Sequence, residues 1–174
     1  MKIKSIVLTT LILLSSSAIA AVDCPSLAGK SHKATIIKVA DGDTATVRLE
    51  NNGTTVNVRF FGIDTPESKW KDHWKAQHYS AEAKYFTINE LQNKKVTVEF
   101  SGDETYSRCV GEIFVNGQSH SLALVKGGYA WWYAKYSQNR SDIQRAQASA
   151  KHSKIGLWKN PKAIAPWLFR RKHK

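Results

Sequence analysis

From Ala34 onward, three short segments alternate apolar and polar residues, and a turn-forming cluster separates each from the next. Ala34 to Val39 is rich in β-branched side chains, Thr44 to Leu49 alternates, and Thr55 to Phe61 sets Val56, Val58 and Phe60 against Asn57, Arg59 and Phe61. A period of two gives each segment one apolar face, so the spacing predicts three half-buried strands. Asp41-Gly42 and Asn51-Asn52-Gly53 tolerate positive φ and predict turns between them, which makes the three strands a meander.

Further along the period changes. Ser80 to Leu91 repeats Ala83, Phe86, Ile88 and Leu91 near helical spacing, with Ser80 placed to cap the start. Val96 to Phe100 and Val110 to Val115 read as two more strands, Ser119 to Lys126 as a short helix ended by Gly127-Gly128, and Asp142 to Ser153 as a last helix stopped near Gly156. Five strands with about three helices placed between and after them predict an α+β fold on a small five-stranded barrel of the oligonucleotide-binding type. The 174 residues are 42% apolar, which excludes disorder as the main state and predicts one domain.

The first five residues carry Lys2 and Lys4, Ile6 to Leu14 is apolar, and Ala18-Ile19-Ala20 closes the run with small residues. This three-part pattern predicts a signal peptide over 1–20 and a secreted or periplasmic product. The run falls short of the ~20 apolar residues that span a bilayer, and no later segment reads as an anchor. The remaining divisions are an N-terminal arm over 21–33, the domain over 34–160 and a basic tail over 161–174, whose last five residues are almost purely basic. Cys24 and Cys109 form an even pair in an oxidising compartment, which favours a disulfide between them over two separate buried thiols.

The formal charge is +12, and removal of Lys2 and Lys4 with the leader brings it to +10. Such a surplus attracts a polyanion before any specific contact forms. Against that excess, four acids gather around two turns: Asp41 and Asp43 in the first, Asp64 and Glu67 in Gly62-Ile63-Asp64-Thr65-Pro66-Glu67. Clustered carboxylates repel one another unless a cation lies among them, and hard divalent ions prefer oxygen ligands. Taken singly, each turn has an ordinary structural reading as a hairpin or a loop start. Arg59 precedes the second turn and Arg108 follows Tyr106-Ser107, so two planar guanidinium groups either neutralise a phosphate or form salt bridges to the nearby acids. Lys69 to Tyr79, with Lys69, Lys71, Trp70, Trp74 and two histidines, reads as a loop extending a phosphate-facing groove.

Val39-Ala40-Asp41-Gly42-Asp43-Thr44, Arg59 with Gly62 to Glu67, and Tyr106-Ser107-Arg108 together resemble the staphylococcal nuclease family over roughly Ala34 to Trp158. The resemblance implies hydrolysis of DNA and RNA with little sequence preference, Ca2+ as cofactor and 3′-phosphate products. Ca2+ and Mg2+ both accept oxygen ligands, so Mg2+ stays open. By the same resemblance, Asp43 and Asp64 hold the metal with the carbonyl of Thr65, Glu67 orients or deprotonates water, and Arg59 and Arg108 bind the scissile phosphate. Asp41 stands behind the metal ligands, while Tyr106 and Tyr136 line the nucleotide pocket; Tyr133 is read from the sequence as a stacking platform for nucleic-acid bases. Where the family commonly has Lys and Gly, this chain has Thr105 and Ser107. Exposed aromatics near Trp131 to Tyr136 suit unpaired bases, so single-stranded or frayed nucleic acid is the expected substrate of a monomeric enzyme without membrane contact. The competing reading is a barrel that binds nucleic acid without cutting it. A pure binder gains nothing from four acids facing a polyanion.

Overall fold

The computed structural model describes residues 22–69 and 75–173. The signal peptide expected over 1–20 and the groove residue Lys71 lie outside the described residues.

The predicted meander forms as β1 (Ser31–Asp41), β2 (Thr44–Leu49) and β3 (Thr55–Phe60), with antiparallel pairings that place Val47 beside Ile36 and Val56. A two-residue β4 (Ile63–Asp64) and helix α2 (Ser80–Leu91) follow, then β5 (Lys95–Thr105) and β6 (Arg108–Val115). β1 also pairs with β5, and β5 with β6. The barrel closes where β6 runs parallel to β3, setting Val58 against Cys109 and Phe60 against Gly111. Closure leaves this five-stranded sheet no free edge of the kind that invites aggregation. Alternate residues point inward, and Ile36, Val47, Val58, Phe60, Val98 and Ile113 are almost fully buried in one continuous core. Each such side chain stabilises the fold by about 1.5–3 kcal/mol through burial.

Several segments differ from the expectation. β1 begins at Ser31, because Ser31, His32 and Lys33 pair with β5, and it runs through register shifts at Ile36/Lys38 and Val39/Asp41; β5 runs on to Thr105 through a shift at Phe100/Glu104. Such bulges bend a strand around a barrel and break the period of two that marks it in sequence. Ser80 opens α2 but does not cap it: the preceding residue, Tyr79, sits at φ 74° and no side chain bonds the free N–H groups. Ser119, by contrast, accepts the Leu122 N–H at the start of α3 (His120–Lys126). The remaining elements are α1 (Cys24–Leu27), β7 (Gln118–Ser119), β8 (Trp131–Trp132), α4 (Ser141–His152) and α5 (Pro166–Lys172), with 3-10 turns at Ala134–Tyr136 and Gly156–Lys159. Five α-helices are therefore formed among the described residues, two more than the periodicity indicated.

Cys24 and Cys109 are joined by a disulfide, their Cα atoms 5.3 Å apart. It ties the N-terminal arm to the closing strand, one residue from Arg108 and on the opposite face. β8 pairs with β4, bringing Trp131 beside Asp64 and Trp132 beside Ile63.

Candidate functional site

The two acidic turns meet at one end of the barrel. Asp43 ends the β1–β2 turn and Asp64 ends β4, and both side chains are nearly inaccessible, at 9% and 1% exposure. They converge on one cation, the Arg59 guanidinium, whose Nη1 lies 3.0 Å from Asp43 Oδ2 and whose Nη2 lies 2.5 Å from Asp64 Oδ1. Arg59 reaches them because β3 pairs with β2, placing Thr44 directly opposite Arg59.

Thr65 locks the two turns together: its N–H and its hydroxyl both donate to Asp43 Oδ2 at 2.8 Å. This approach needs a glycine at position 42, since a Cβ there would lie 2.9 Å from Thr65 Oγ1 and 3.1 Å from the Ala83 methyl. The Gly42 carbonyl accepts the Thr87 hydroxyl at 2.7 Å. That hydroxyl has one proton to give, so the contact between Thr87 Oγ1 and His120 Nε2 at 3.2 Å must run from the imidazole N–H. Burial holds His120 neutral, its pKa lowered to about 4, and Lys94 acts in the same direction. A buried relay from α3 through α2 thus supports the turn bearing Asp41 and Asp43.

Arg108 donates to Thr44 Oγ1 at 2.9 Å, and Thr44 in turn bonds Asp43 at 3.1 Å. Burial and the nearby Arg59 lower the Arg108 pKa, so its charge is under-compensated and seeks an anion. Asp41 accepts from Ser68 Oγ at 2.7 Å and from the Gly42 N–H; burial and Asp43 raise its pKa. Burial likewise raises that of Asp64 despite the arginine beside it. Glu67 is pushed up to about 7 by burial, with Arg170 offsetting part of the effect. Its backbone is clamped by Gln77, which accepts from the Glu67 N–H at 3.0 Å and donates its own N–H to the Glu67 carbonyl at 2.8 Å.

Sequence reasoning missed Arg170. The segment taken for a basic tail contains α5, and Arg170 pairs with Asp64 Oδ2 at 2.8 Å and with Glu67 Oε1. Burial works against its charge, yet the contacts with the two acids raise its pKa above the ordinary arginine value. Two signals were present: Pro166 at a helix start, and Trp167 and Phe169 as apolar anchors among the charges.

The expected nucleotide-pocket residues divide. Tyr106 stands 90% exposed at the β5–β6 hairpin tip, two residues before Arg108. Tyr133 meets Tyr136 edge to face at 5.1 Å and stacks against Trp167 at 5.0 Å, while Tyr136 keeps 61% exposure. Trp131 packs against Trp158, and the Trp132 indole N–H bonds Ser137 Oγ, so these two brace the fold rather than offering open faces. Lys69 is exposed.

The donor set suits a hard divalent ion: two buried carboxylates already share one cationic position, and their ligand atoms are all oxygen. Among the described residues no three acidic, histidine or cysteine side chains form a ready cage, so backbone carbonyls and water must complete any such site.

Residues 57–160 match the family described as staphylococcal nuclease homologue. An uncharacterised endonuclease of Haemophilus influenzae is 32% identical over 139 residues, covering 80% of this chain and 73% of the relative. A staphylococcal-like nuclease, CAN1, of Arabidopsis thaliana is 31% identical over 114 residues, and the chain spans about a third of its length, 33%. An uncharacterised endonuclease of Escherichia coli O157:H7 is 27% identical over 136 residues and is covered to 82%.

Proposed function

The chain belongs to the staphylococcal nuclease family and is a hydrolase of the nuclease class, and on that premise we propose a secreted, metal-dependent enzyme that cleaves the phosphodiester bonds of DNA and RNA with little sequence preference. The convergence of Asp43 and Asp64 on the Arg59 guanidinium, with Glu67 one guanidinium further on, carries the reading.

Asp43, Asp64 and the Thr65 carbonyl would hold Ca2+, or Mg2+. Bound there, the ion supplies Lewis-acid polarisation of a phosphoryl oxygen and neutralises charge. The chain's own residues do the rest. Arg59 and Arg108 offer fork-shaped donors to the scissile phosphate, where negative charge grows in the transition state. Half-buried Glu67 accepts a proton from the attacking water or orients it. Asp41, held by Ser68 and Gly42, adds negative charge behind Asp43. No covalent enzyme intermediate is needed, since positioning and charge neutralisation serve an in-line attack.

Exposed Tyr106 and Tyr136 and the surplus of basic side chains favour unpaired strands, whose bases can stack and whose backbone can bend into the site. Among the described residues no helix is long and apolar enough to cross a membrane. Export follows from the leader pattern, with the mature chain starting near Ala21 and acting as a monomer.

The test is incubation of the mature protein with single-stranded DNA, duplex DNA and RNA under Ca2+, Mg2+ or chelator, followed by analysis of product ends. Cleavage that depends on a divalent ion, leaves 3′-phosphates and vanishes in Asp64→Ala is the expected result. Cleavage that persists in chelator, or in Asp64→Ala, would overturn the proposal.

A further inference from the structure

The family match ends at residue 160, yet a side chain from beyond it enters the site. Helix α5 is held in place from two directions. Trp167 lies parallel to the Tyr133 ring, with 8° between the planes, and meets Trp131 edge-on at 5.9 Å. Just before the helix, the Ile164 carbonyl accepts from Gln77 Nε2, and Gln77 is the residue that clamps the Glu67 backbone. Arg170 follows Trp167 by three positions and therefore projects from the same face of the helix.

Its guanidinium spans two acids. Nη2 is 2.8 Å from Asp64 Oδ2, Nη1 is 3.3 Å from Asp64 Oδ1, and Nη1 also contacts Glu67 Oε1. Among the described residues, Arg170 is the ion-pair partner of Glu67, whereas Arg59 serves Asp43 and Asp64. Gln77 thus fixes the Glu67 backbone, and Arg170 fixes its carboxylate. A glutamate side chain left without that second restraint has several rotors free, and misplacing a reacting group by about 1 Å can cost roughly 100-fold in rate.

We propose that Arg170 is a positioning residue of the nuclease site, which holds the Glu67 carboxylate in register with Asp64 so that it faces the attacking water. The inference rests on the water-handling role of Glu67 proposed above. It makes the C-terminal helix part of the functional unit, and it explains why a chain of this composition needs Trp167 stacked on Tyr133: the ring contact sets where the guanidinium lands.

The experiment compares the mature wild type with Arg170→Met, Arg170→Lys, Glu67→Gln and the Arg170→Met/Glu67→Gln double variant on single-stranded DNA, with the divalent ion saturating. Arg170→Met should lower kcat by about 10- to 100-fold, the usual effect of losing a group that orients a functional ligand, and should change KM less. Arg170→Lys should fall between, because an ammonium keeps the charge but cannot bridge two carboxylates. In the Glu67→Gln background, adding Arg170→Met should cost little more, since both changes disable one device. Thermal melts of the wild type, Arg170→Met, Glu67→Gln and the double variant in chelator read the pairing without catalysis, and the double variant should melt above the sum of the single losses.

Wild-type or raised kcat in a folded Arg170→Met, an effect confined to KM, or independent multiplication of the two single effects would each overturn the inference. Raised activity would instead make Arg170 an obstacle to cation binding at Asp64. Failure of the underlying reading shows differently: Glu67→Gln would then cleave at the wild-type rate whatever stands at position 170, and both proposals would fall together.

Discussion

Replacing Arg59 with methionine separates the two jobs this side chain holds. Its guanidinium is nearly buried, at 12% side-chain exposure, and it is shared between Asp43 and Asp64, which are 9% and 1% exposed. After the change, Asp64 keeps Arg170 and Asp43 keeps the two donors of Thr65, but no cation lies between the carboxylates. Removing one partner from a buried pair typically costs about 3–5 kcal/mol, because the remaining charge is left in a poorly solvating place. For a domain of this size each kcal/mol is worth about 2–4 °C, so the melt in chelator should fall by roughly 10 °C. Millimolar Ca2+ should recover much of that loss, since an ion at 100 times its dissociation constant adds about 2.7 kcal/mol. Activity should not return: one missing preorganised donor costs about 3–4 kcal/mol in the barrier, or 100- to 1,000-fold in kcat. Tryptophan fluorescence melts with and without Ca2+, alongside a cleavage assay, read all three effects. If the variant melts with the wild type in chelator, the carboxylates do not depend on Arg59. If no divalent ion raises the melt of the variant, they are not a cation site.

Other consequences follow from single contacts. Cys24→Ser/Cys109→Ser should lose about 4–5 kcal/mol on the chain-entropy model for a closed loop of 85 residues, while cleavage at 25 °C continues; an unchanged melt would show that the bridge constrains nothing. Gly42→Ala should cut kcat by about 10-fold or more, because its methyl would press on Thr65 Oγ1 and shift Asp43, and wild-type kinetics would show that the turn is freer than its contacts. Ser107→Gly should raise stability by about 1 kcal/mol, since Ser107 is held at φ 59° where glycine alone is unstrained, and chemical denaturation would detect it. His120 has a folded pKa of about 4 against an ordinary 6.5, so the unfolded chain binds the proton first. Its contribution is intact above pH 6.5 and declines as pH falls to about 4, by on the order of 3 kcal/mol in all. His120→Phe should lose that much less than wild type between pH 7 and 4, and parallel urea melts at the two pH values would refute the assignment if the difference stayed constant.

The barrel was legible because its strands are mostly half-buried and carry the period of two openly: Val56, Val58 and Phe60 face inward in the structure as the alternation demands. Legibility failed at the start of β1, where Ser31 to Lys33 are strand through pairing with β5, and at the end of β5, where the register shifts and the polar stretch from Ser101 to Thr105 continues a strand as half of a long hairpin. Nothing in those residues' own preferences asks for a strand; pairing with β6 supplies it. The two short helices α1 and α5 were invisible for a related reason. Each lacks the serine cap and the Gly-Gly stop that marked the similarly short α3, and each is held by a tertiary anchor, the disulfide at Cys24 or the ring stack at Trp167.

The same distinction runs through the site. Asp41, Asp43, Asp64, Glu67 and Arg59 could be assembled on paper because they lie on the strands of a meander, in its first turn or just after its third strand, where neighbours in sequence become neighbours in space. Arg170 is 106 residues from Asp64, and in sequence it stands beside Arg171 and Lys172, so its charge looks like solvated bulk. What separates it from them is position on the helix. Arg170 shares the face of Trp167 and is half-buried, whereas Arg171 and Lys172 are exposed. A cation at the end of a basic segment is ordinarily a long-range attractor whose effect salt weakens. Placed against two shielded carboxylates, the same group acts at contact distance, where screening is weak and geometry decides. Salt should therefore weaken capture of the polyanion by Arg171 and Lys172 while leaving the Arg170 contacts in place. The split between KM and kcat with rising ionic strength then distinguishes the two kinds of basic residue that the composition alone had merged.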